Sequence, residues 1–271
     1  PFMNAMPAFR HIASAALLGP AASVLAQAQP AKPAAYEPEV GQEGKDVVWV
    51  PTPQALVDRM LDMAKVAPAD YLMDLGSGDG RTVITAAKRG GRTEGSEYNQ
   101  DMVTLSQRNA KEAGVADRAI FRRADIFETD FSKANVITLF LLPGLNVRLR
   151  PAILNMRPGT RIVSNTFTME DWTPDQTETV GGDCVSWCTA HLWIVPAKVQ
   201  GTWDVPGRGT LTLNQTFQVG AGTLANAQIS NGKLRGDEIS FTAGGTNYTG
   251  KVDGNTMQLS TGGTKLTATK K

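Results

Sequence analysis

The chain of 271 residues is predicted to be α/β, with a doubly wound, mostly parallel sheet followed by a small C-terminal all-β domain, either a meander or a barrel. Three observations predict this. A short apolar run, Tyr71-Leu72, leads into Met73-Asp74-Leu75-Gly76-Ser77-Gly78-Asp79-Gly80-Arg81, which reads as a strand, a glycine turn and the start of a helix. Strand-like and helix-like segments then alternate as far as about residue 195. Beyond Pro196-Ala197 the chain changes character, becoming rich in Gly, Thr and Asn, with short alternating runs separated by turn signals.

The N-terminal segment carries no acid before Glu37. Arg10 and His11 precede the apolar run Ile12 to Leu18, and small residues follow near Ala26 to Ala28. This predicts a secretory signal peptide over 1–28, with a core in the ~7–15 residue range rather than the ~20 of a membrane span. A Pro- and Ala-rich linker is expected over 29–46. Val47 to Val50 then leads through Pro51-Thr52-Pro53 into a helix. Thr52 is expected to cap it, and Leu56, Val57, Met60, Leu61 and Ala64 form its apolar face.

A strand that ends on an acid, turns through three alternate glycines and launches a helix places a binding crevice at the sheet's carboxyl edge. Gly76, Gly78 and Gly80 let a ligand approach the main chain without meeting a Cβ. The spacing is not the dinucleotide fingerprint G-x-G-x-x-G, since the third glycine comes one residue early and Asp74 precedes the first by two. The next strand, Arg92 to Glu97, again ends on an acid. A helix over Gln100 to Ala113 follows, capped by Asn99 and stopped by Gly114. A third strand, Ala119 to Arg123, runs into Ala124-Asp125-Ile126. Val136 to Leu142 is a continuous apolar run suited to a central buried strand, ended by Pro143-Gly144; a helix over Val147 to Met156 and a strand over Thr160 to Asn165 follow.

Asp74-x-Gly76-x-Gly78-x-Gly80 resembles the first motif, D/E-x-G-x-G-x-G, of the class I (seven-strand) S-adenosylmethionine-dependent methyltransferases. The resemblance implies a Rossmann-like seven-stranded methyltransferase sheet with a final antiparallel hairpin, for which Thr177 to Val180 and Ala190 to Val195 are the candidates. It implies S-adenosylmethionine as cofactor, with Glu97 on the ribose hydroxyls and Asp125 and Ile126 near the adenine. Val50 to Pro53, Asp74 to Arg81, Leu141-Leu142-Pro143 and Asn146 to Pro151 are further similar to bacterial relatives of the mitochondrial protein-lysine methyltransferases of the ATP synthase c-subunit and the adenine nucleotide translocase. That likeness spans about Val47 to Ala197 and sets Thr52 at the cofactor's methionine end. The expected cofactor-binding residues are therefore Thr52, Asp74, Gly76, Ser77, Gly78, Gly80, Glu97, Tyr98, Asp125 and Ile126.

Methyl transfer from a sulfonium needs alignment more than side-chain chemistry. No catalytic residue is assigned; Leu141, Leu142 and Pro143, beside Phe140, are candidates for an apolar acceptor channel, with plain core as the alternative. Asp171, on the segment after the fifth strand, is the acid considered as a catalytic base. Leu141-Leu142-Pro143-Gly144 is not the D/N/S-P-P-aromatic run of nucleic-acid amino-methyltransferases, and a net charge of +1 gives no basic footprint, so no nucleic-acid partner is expected.

The two histidines, His11 and His191, and the two cysteines, Cys184 and Cys188, make no metal set, and none is expected. The cysteines either pair, as an exported protein permits, or stay free thiols. In the last third, strands are expected at 201–205, 210–218, 223–229, 238–243, 247–252, 256–260 and 265–269, with Asn231-Gly232 among the turns.

The domains expected are thus the signal, the linker, a methyltransferase domain over 47–198 and the β domain over 199–271. The function expected is methylation of a protein lysine. An exported non-catalytic binder and a small-molecule methyltransferase are the alternatives. The partner is a protein or small-molecule methyl acceptor, with no membrane span after signal removal. The expected location is the periplasm, or the cytoplasm if the signal is not used.

Overall fold

The computed structural model describes residues 36–271, so the signal peptide expected over 1–28 and the linker's first residues lie outside the described residues. Helix α1 (Gln54–Met63) buries Leu56, Val57, Met60 and Leu61, the face its spacing predicts. Its N-cap is Pro53, not the expected Thr52, and no side chain caps it. The Thr52 hydroxyl instead accepts from Asn165 Nδ2 at 3.2 Å.

Strand β1 (Tyr71–Leu75) leads through the glycine loop to α2 (Arg81–Lys88), then β2 (Arg92–Glu97) and α3 (Gln100–Glu112). Asn99 caps α3 as expected, accepting from Asp101 N at 2.8 Å and Met102 N at 3.3 Å. Strands β3 (Ala119–Arg123) and β4 (Val136–Leu139), helix α4 (Pro143–Ile153), β5 (Arg161–Asn165), β6 (Gln176–Thr179) and β7 (Thr189–Ile194) complete the first body. Strand β4 is shorter than expected. Phe140, Leu141 and Leu142 leave the sheet, and Pro143 opens α4 at a position that has no backbone hydrogen bond to lose.

The seven strands are ordered β3-β2-β1-β4-β5-β7-β6. Pairings from β3 through β5 are parallel, and β7 runs antiparallel to β5 and β6. Strand order reverses between β1 and β4, which opens a crevice beyond their carboxyl ends. Three buried strands, β1, β4 and β5, with Leu72, Met73, Leu75, Ile137, Leu139 and Ile162 at 2% exposure or less form the middle of the core.

The remaining strands are β8 (Gly201–Val205), β9 (Gly209–Thr216), β10 (Val219–Leu224), β11 (Ala227–Arg235), β12 (Glu238–Ala243), β13 (Thr246–Asp253), β14 (Thr256–Thr261) and β15 (Thr264–Lys270). They close into an antiparallel barrel through β15 against β8 and β9 against β10. Its interior is packed around Trp203, Leu211, Leu234 and Met257, so it has no unpaired edge to protect.

The sequence predicts seven runs here and does not separate out β10. Phe217 at φ 51° and Ala225 at φ 51° make the turns on either side of it. Asn231-Gly232 is not a turn but a bulge inside β11, where the register shifts between Ser230 and Lys233. A Cβ on Gly232 would lie 1.9 Å from the Gly220 carbonyl oxygen, so glycine is required by close approach of two strands rather than by a reversal.

Candidate active site

A cavity of about 230 Å³ opens at the reversal point, beyond β1, β2 and β4. Thr52, Asp74, Gly76, Ser77, Gly78, Glu97, Tyr98, Asp125 and Ile126 all line it, as do Leu141 and Leu142. Two of the expected residues do not. Gly80 sits at the start of α2 with φ 83°, and a Cβ there would lie 2.7 Å from Phe121 and 2.9 Å from Ser106. Its job is close helix-to-sheet packing. Pro143 is the first residue of α4, beyond the wall of the cavity. Asp171 is absent from the lining as well; its carboxylate pairs with Arg150 at the surface.

Four amides of the glycine loop are already taken. Gly76 N and Ser77 N both donate to Ser96 O (2.9 and 3.0 Å), Gly80 N donates to Ser77 O, and Gly78 N donates to Glu97 Oε2 at 3.0 Å. The other Glu97 oxygen accepts from Asn99 N at 2.9 Å, so the acid at the end of β2 is locked in place by the loop it faces. Gly78 has φ 54°, and a Cβ there would meet Trp49 Nε1 at 2.6 Å. Sequence reasoning missed Gly95, where a Cβ would meet Ser77 Oγ at 2.5 Å; only glycine on β2 lets the loop fold this close to the strand.

The electrostatics of the wall select the ligand's sign. Its ionisable groups are Glu43, Asp46, Asp74, Asp79, Glu97 and Asp125 against Lys45 and Arg81, and both cations are already paired. Arg81 Nη2 bonds Asp79 at 2.6 Å while its Nη1 holds the Thr52 carbonyl at 3.0 Å. Lys45 bonds Asp125 and holds that carboxyl below the usual carboxylate range, helped by a bond from Phe127 N. Asp74 is buried at 6% exposure, with Thr138 Oγ1 donating to it at 2.6 Å. Burial, with the charges of Glu97 and Asp79 added, pushes its pKa up to about 7 despite that bond. Such a wall suits a cation with hydroxyl donors and repels a pyrophosphate, which explains in physical terms why the spacing departs from a dinucleotide loop.

Gln42 to Asp46, expected as linker, instead form part of the site. Gly41 N donates to Trp49 O, Trp49 N to Gln42 O, and Glu43 bridges Val48, so the segment folds into a strap along the cavity. Lys45 ties the strap's tip to Asp125 and lies 5.2 Å from the Tyr98 ring centre. The signal for this strap in the sequence is faint: a single Lys among glycines and acids.

The far end of the cavity is apolar and carries Phe140, Leu141, Leu142, Leu145, Phe167 and Trp187. Trp187 was not anticipated. Phe167 lies on the segment after β5, held by Asn146 Nδ2, which donates to the carbonyls of Phe167 (3.3 Å) and Thr168 (3.2 Å). Arg150, one helical turn on from Asn146, donates to Met169 O at 2.8 Å. The Asn146 to Pro151 motif therefore positions this segment. Trp187 lies between β6 and β7 inside the loop closed by the disulfide Cys184–Cys188, which settles the pairing the sequence left open.

The cradle fits S-adenosylmethionine: the Ser77 hydroxyl is buried in the loop with no partner, and the cavity wall is acidic.

Comparison with known proteins agrees with the geometry. The profile of the ANTKMT methyltransferase domain matches residues 74–176. A protein-lysine N-methyltransferase of Saccharolobus islandicus is 41% identical over 133 residues, covering 48% of this chain and 83% of its own length. The mouse lysine N-methyltransferase of the ATP synthase c-subunit is 36% identical over 115 residues, 42% of this chain and 47% of its own, so the chain spans about half the length of that relative. A solved RNA methyltransferase of Salinibacter ruber, in complex with S-adenosyl-L-homocysteine, is 47% identical and superposes with a TM-score of 0.52 over 55% of this chain and 96% of its own. The β barrel lies beyond the residues the family profile matches. With its glycine loop, its three strand-end acids and these relatives, the chain belongs to the S-adenosylmethionine-dependent methyltransferases.

Proposed function

We propose that this methyltransferase acts on the side-chain amine of a protein lysine. The observation that carries the reading is the polarity of the cavity: acids at the nucleoside end, and an uncharged aliphatic and aromatic mouth at the other. S-adenosylmethionine, when bound, supplies a methyl group already activated on sulfur. The chain's residues then have to hold the ligand, align the acceptor and leave its nitrogen unprotonated. Glu97, fixed by Gly78 N and Asn99 N, is set to take hydroxyl donors, and Asp74 faces the cationic end. Asp125 and Ile126 line the cavity where they would flank the base, and Thr52 where it would close the methionine end. The aliphatic side chains of Leu141, Leu142 and Leu145 offer the amine no carboxylate, so beside the cofactor's sulfonium it would meet low-dielectric surroundings that lower its pKa from about 10.4 and favour the nucleophilic amine. The lysine methyltransferases among the relatives support this acceptor.

A second reading, an RNA acceptor, rests on the likeness to the Salinibacter ruber RNA methyltransferase. One experiment separates the two. The full chain is incubated with methyl-labelled cofactor and a fractionated lysate, and the label is located. Label on lysine side chains is the expected result; label confined to RNA or to small molecules refutes the lysine reading.

We further propose that the protein is exported to an oxidising compartment. The N-terminal segment's pattern supports this, and so does a disulfide between the chain's only two cysteines. The mature N-terminus from the native host is the test: a start within 1–10 would refute export through this segment. Among the described residues no helix is long and apolar enough to cross a membrane.

A further inference from the structure

Three aromatic rings from three separate elements meet at the mouth of the cavity. Phe140 follows β4, Phe167 follows β5 and Trp187 projects from the disulfide loop before β7. Their centroids are 6.1 Å apart for Phe140 and Phe167, 5.8 Å for Phe140 and Trp187, and 5.5 Å for Phe167 and Trp187. Trp187 is tilted by 60° and 47° against the other two, so the rings stand as walls and do not collapse into one stack.

The arrangement is poorly suited to packing alone. Trp187 remains 38% exposed and sits at φ 58°, a left-handed backbone conformation that a bulky side chain seldom adopts. The five-residue loop closed by Cys184 and Cys188 leaves it few alternatives. A large ring held against its backbone preference where two others meet it at the entrance to a site indicates a ligand for the three.

We propose that Phe140, Phe167 and Trp187 form an aromatic collar that binds the alkylammonium of the acceptor lysine and, more tightly, its methylated forms, with Trp187 put in place by the Cys184–Cys188 bond. The inference rests on the methyl-transfer reading above and deepens it. A ring face attracts a cation through its quadrupole, and the attraction survives when N–H donors are replaced by methyl groups. A carboxylate in the same place would tether the unmodified ammonium and lose its hydrogen bonds with each methyl added. None of the mouth residues Phe140, Leu141, Leu142, Leu145, Phe167 and Trp187 is an acid, so the collar retains a partly methylated side chain for a further round.

The test uses the full oxidised chain saturated with S-adenosylhomocysteine and labelled with 5-fluorotryptophan, the Trp187 resonance being assigned by its loss in Trp187→Phe. Two probes are titrated: Nα-acetyl-Nε-trimethyl-lysine methyl amide and its uncharged isostere, in which carbon replaces the ammonium nitrogen. The cationic probe is expected to shift the Trp187 signal and to bind about fivefold more tightly than the isostere. Trp187→Ala and the pair Cys184→Ser with Cys188→Ser are each expected to abolish that preference, whereas Trp187→Phe keeps most of it. S-adenosylhomocysteine affinity, measured first by calorimetry, should stay within about twofold in every variant, since a tenfold loss would need about 1.4 kcal/mol from residues remote from the nucleoside end. Equal affinity for the two probes, no binding of the cationic one, or a preference that survives the serine pair would overturn the proposal. If the unmodified chain does not bind S-adenosylhomocysteine at all, the cofactor reading fails instead; intact cofactor binding without a cation preference removes the collar alone.

Discussion

Asp74 is a position where the fold gives up stability to make the site. In the unfolded chain its carboxyl titrates near the ordinary 3.8, whereas in the folded protein burial and the nearby charges of Glu97 and Asp79 raise it to about 7. Between those values the folded state keeps a proton that the unfolded chain has released. Stability therefore falls as pH rises through the window from about 4 to 7, and the loss is complete above it. At about 1.4 kcal/mol per tenfold change in proton affinity, the interval corresponds to about 4 kcal/mol. Asp74→Asn removes the ionisation yet keeps an oxygen for the Thr138 hydroxyl. The variant should be more stable than the parent by up to about 4 kcal/mol at pH 8.5, and by only about 1 kcal/mol near pH 4.5. Denaturant unfolding of the cofactor-free protein at both pH values measures this. A variant no more stable at pH 8.5, or one equally stabilised at both, would refute the reasoning. The same titration should appear in binding: below pH 7 the parent must release a proton to meet a cationic ligand, so its affinity falls with pH, by at most about tenfold per unit, and in the asparagine variant that dependence is absent.

Glu97→Ala removes the acceptor for Gly78 N and Asn99 N along with the expected hydroxyl contacts, and should weaken S-adenosylhomocysteine binding by about 1–3 kcal/mol in calorimetry. Gly80→Ala forces a Cβ against Phe121 and Ser106, and should cost about 1–3 kcal/mol of stability in chemical denaturation. Gly114→Ala, also at positive φ but with nothing within 4 Å, serves as the comparison and should lose only about 1 kcal/mol. Lys45→Ala frees the strap from Asp125 and should raise KM for the cofactor by no more than about fivefold, as expected for an exposed ion pair. That difference should shrink in 1 M salt, and a KM unchanged at low salt would show that the strap closes without it.

What could be read in the sequence was local in character. The Asp74 to Arg81 loop, the Asn99 cap and the order of strands follow from patterns that a few adjacent residues complete, and the acids at successive strand ends follow from that order. The misassignments come from contacts distant in the chain. Gly80 looked like a ligand glycine, but its neighbours are Phe121 and Ser106. Gly232 looked like a turn glycine, but it lies against Gly220 on the neighbouring strand β10. Pro143 looked like the end of a strand's apolar run, yet it starts the helix that carries Asn146 and Arg150. Lys45 and Trp187 show no periodicity and belong to no motif, so only the folded chain reveals that they face the cavity.

The barrel, which carries no lining residue of the cavity, still reaches its acceptor side through one turn. Phe217, between β9 and β10, stacks on Trp172 at 5.7 Å and lies under the Arg150 guanidinium at 5.1 Å, while Gln218 Nε2 donates to Thr173 O at 2.7 Å. Trp172 is fully buried, and its carbonyl accepts from Trp193 Nε1 at 2.7 Å. Trp172 and Phe167 belong to the same segment after β5. That segment is tied at its start by Asn146 on α4 and at its end by the β9–β10 turn, and Arg150 touches both ties. A loop of this kind, with few regular backbone bonds, would otherwise be drawn from the least stable part of the molecule. Fixing it at two points lets Phe167 keep its place against Phe140 and Trp187 while no residue of the segment joins the sheet. The barrel thus acts as a buttress for the acceptor end, which gives an all-β appendage a physical reason to be fused behind a methyltransferase sheet.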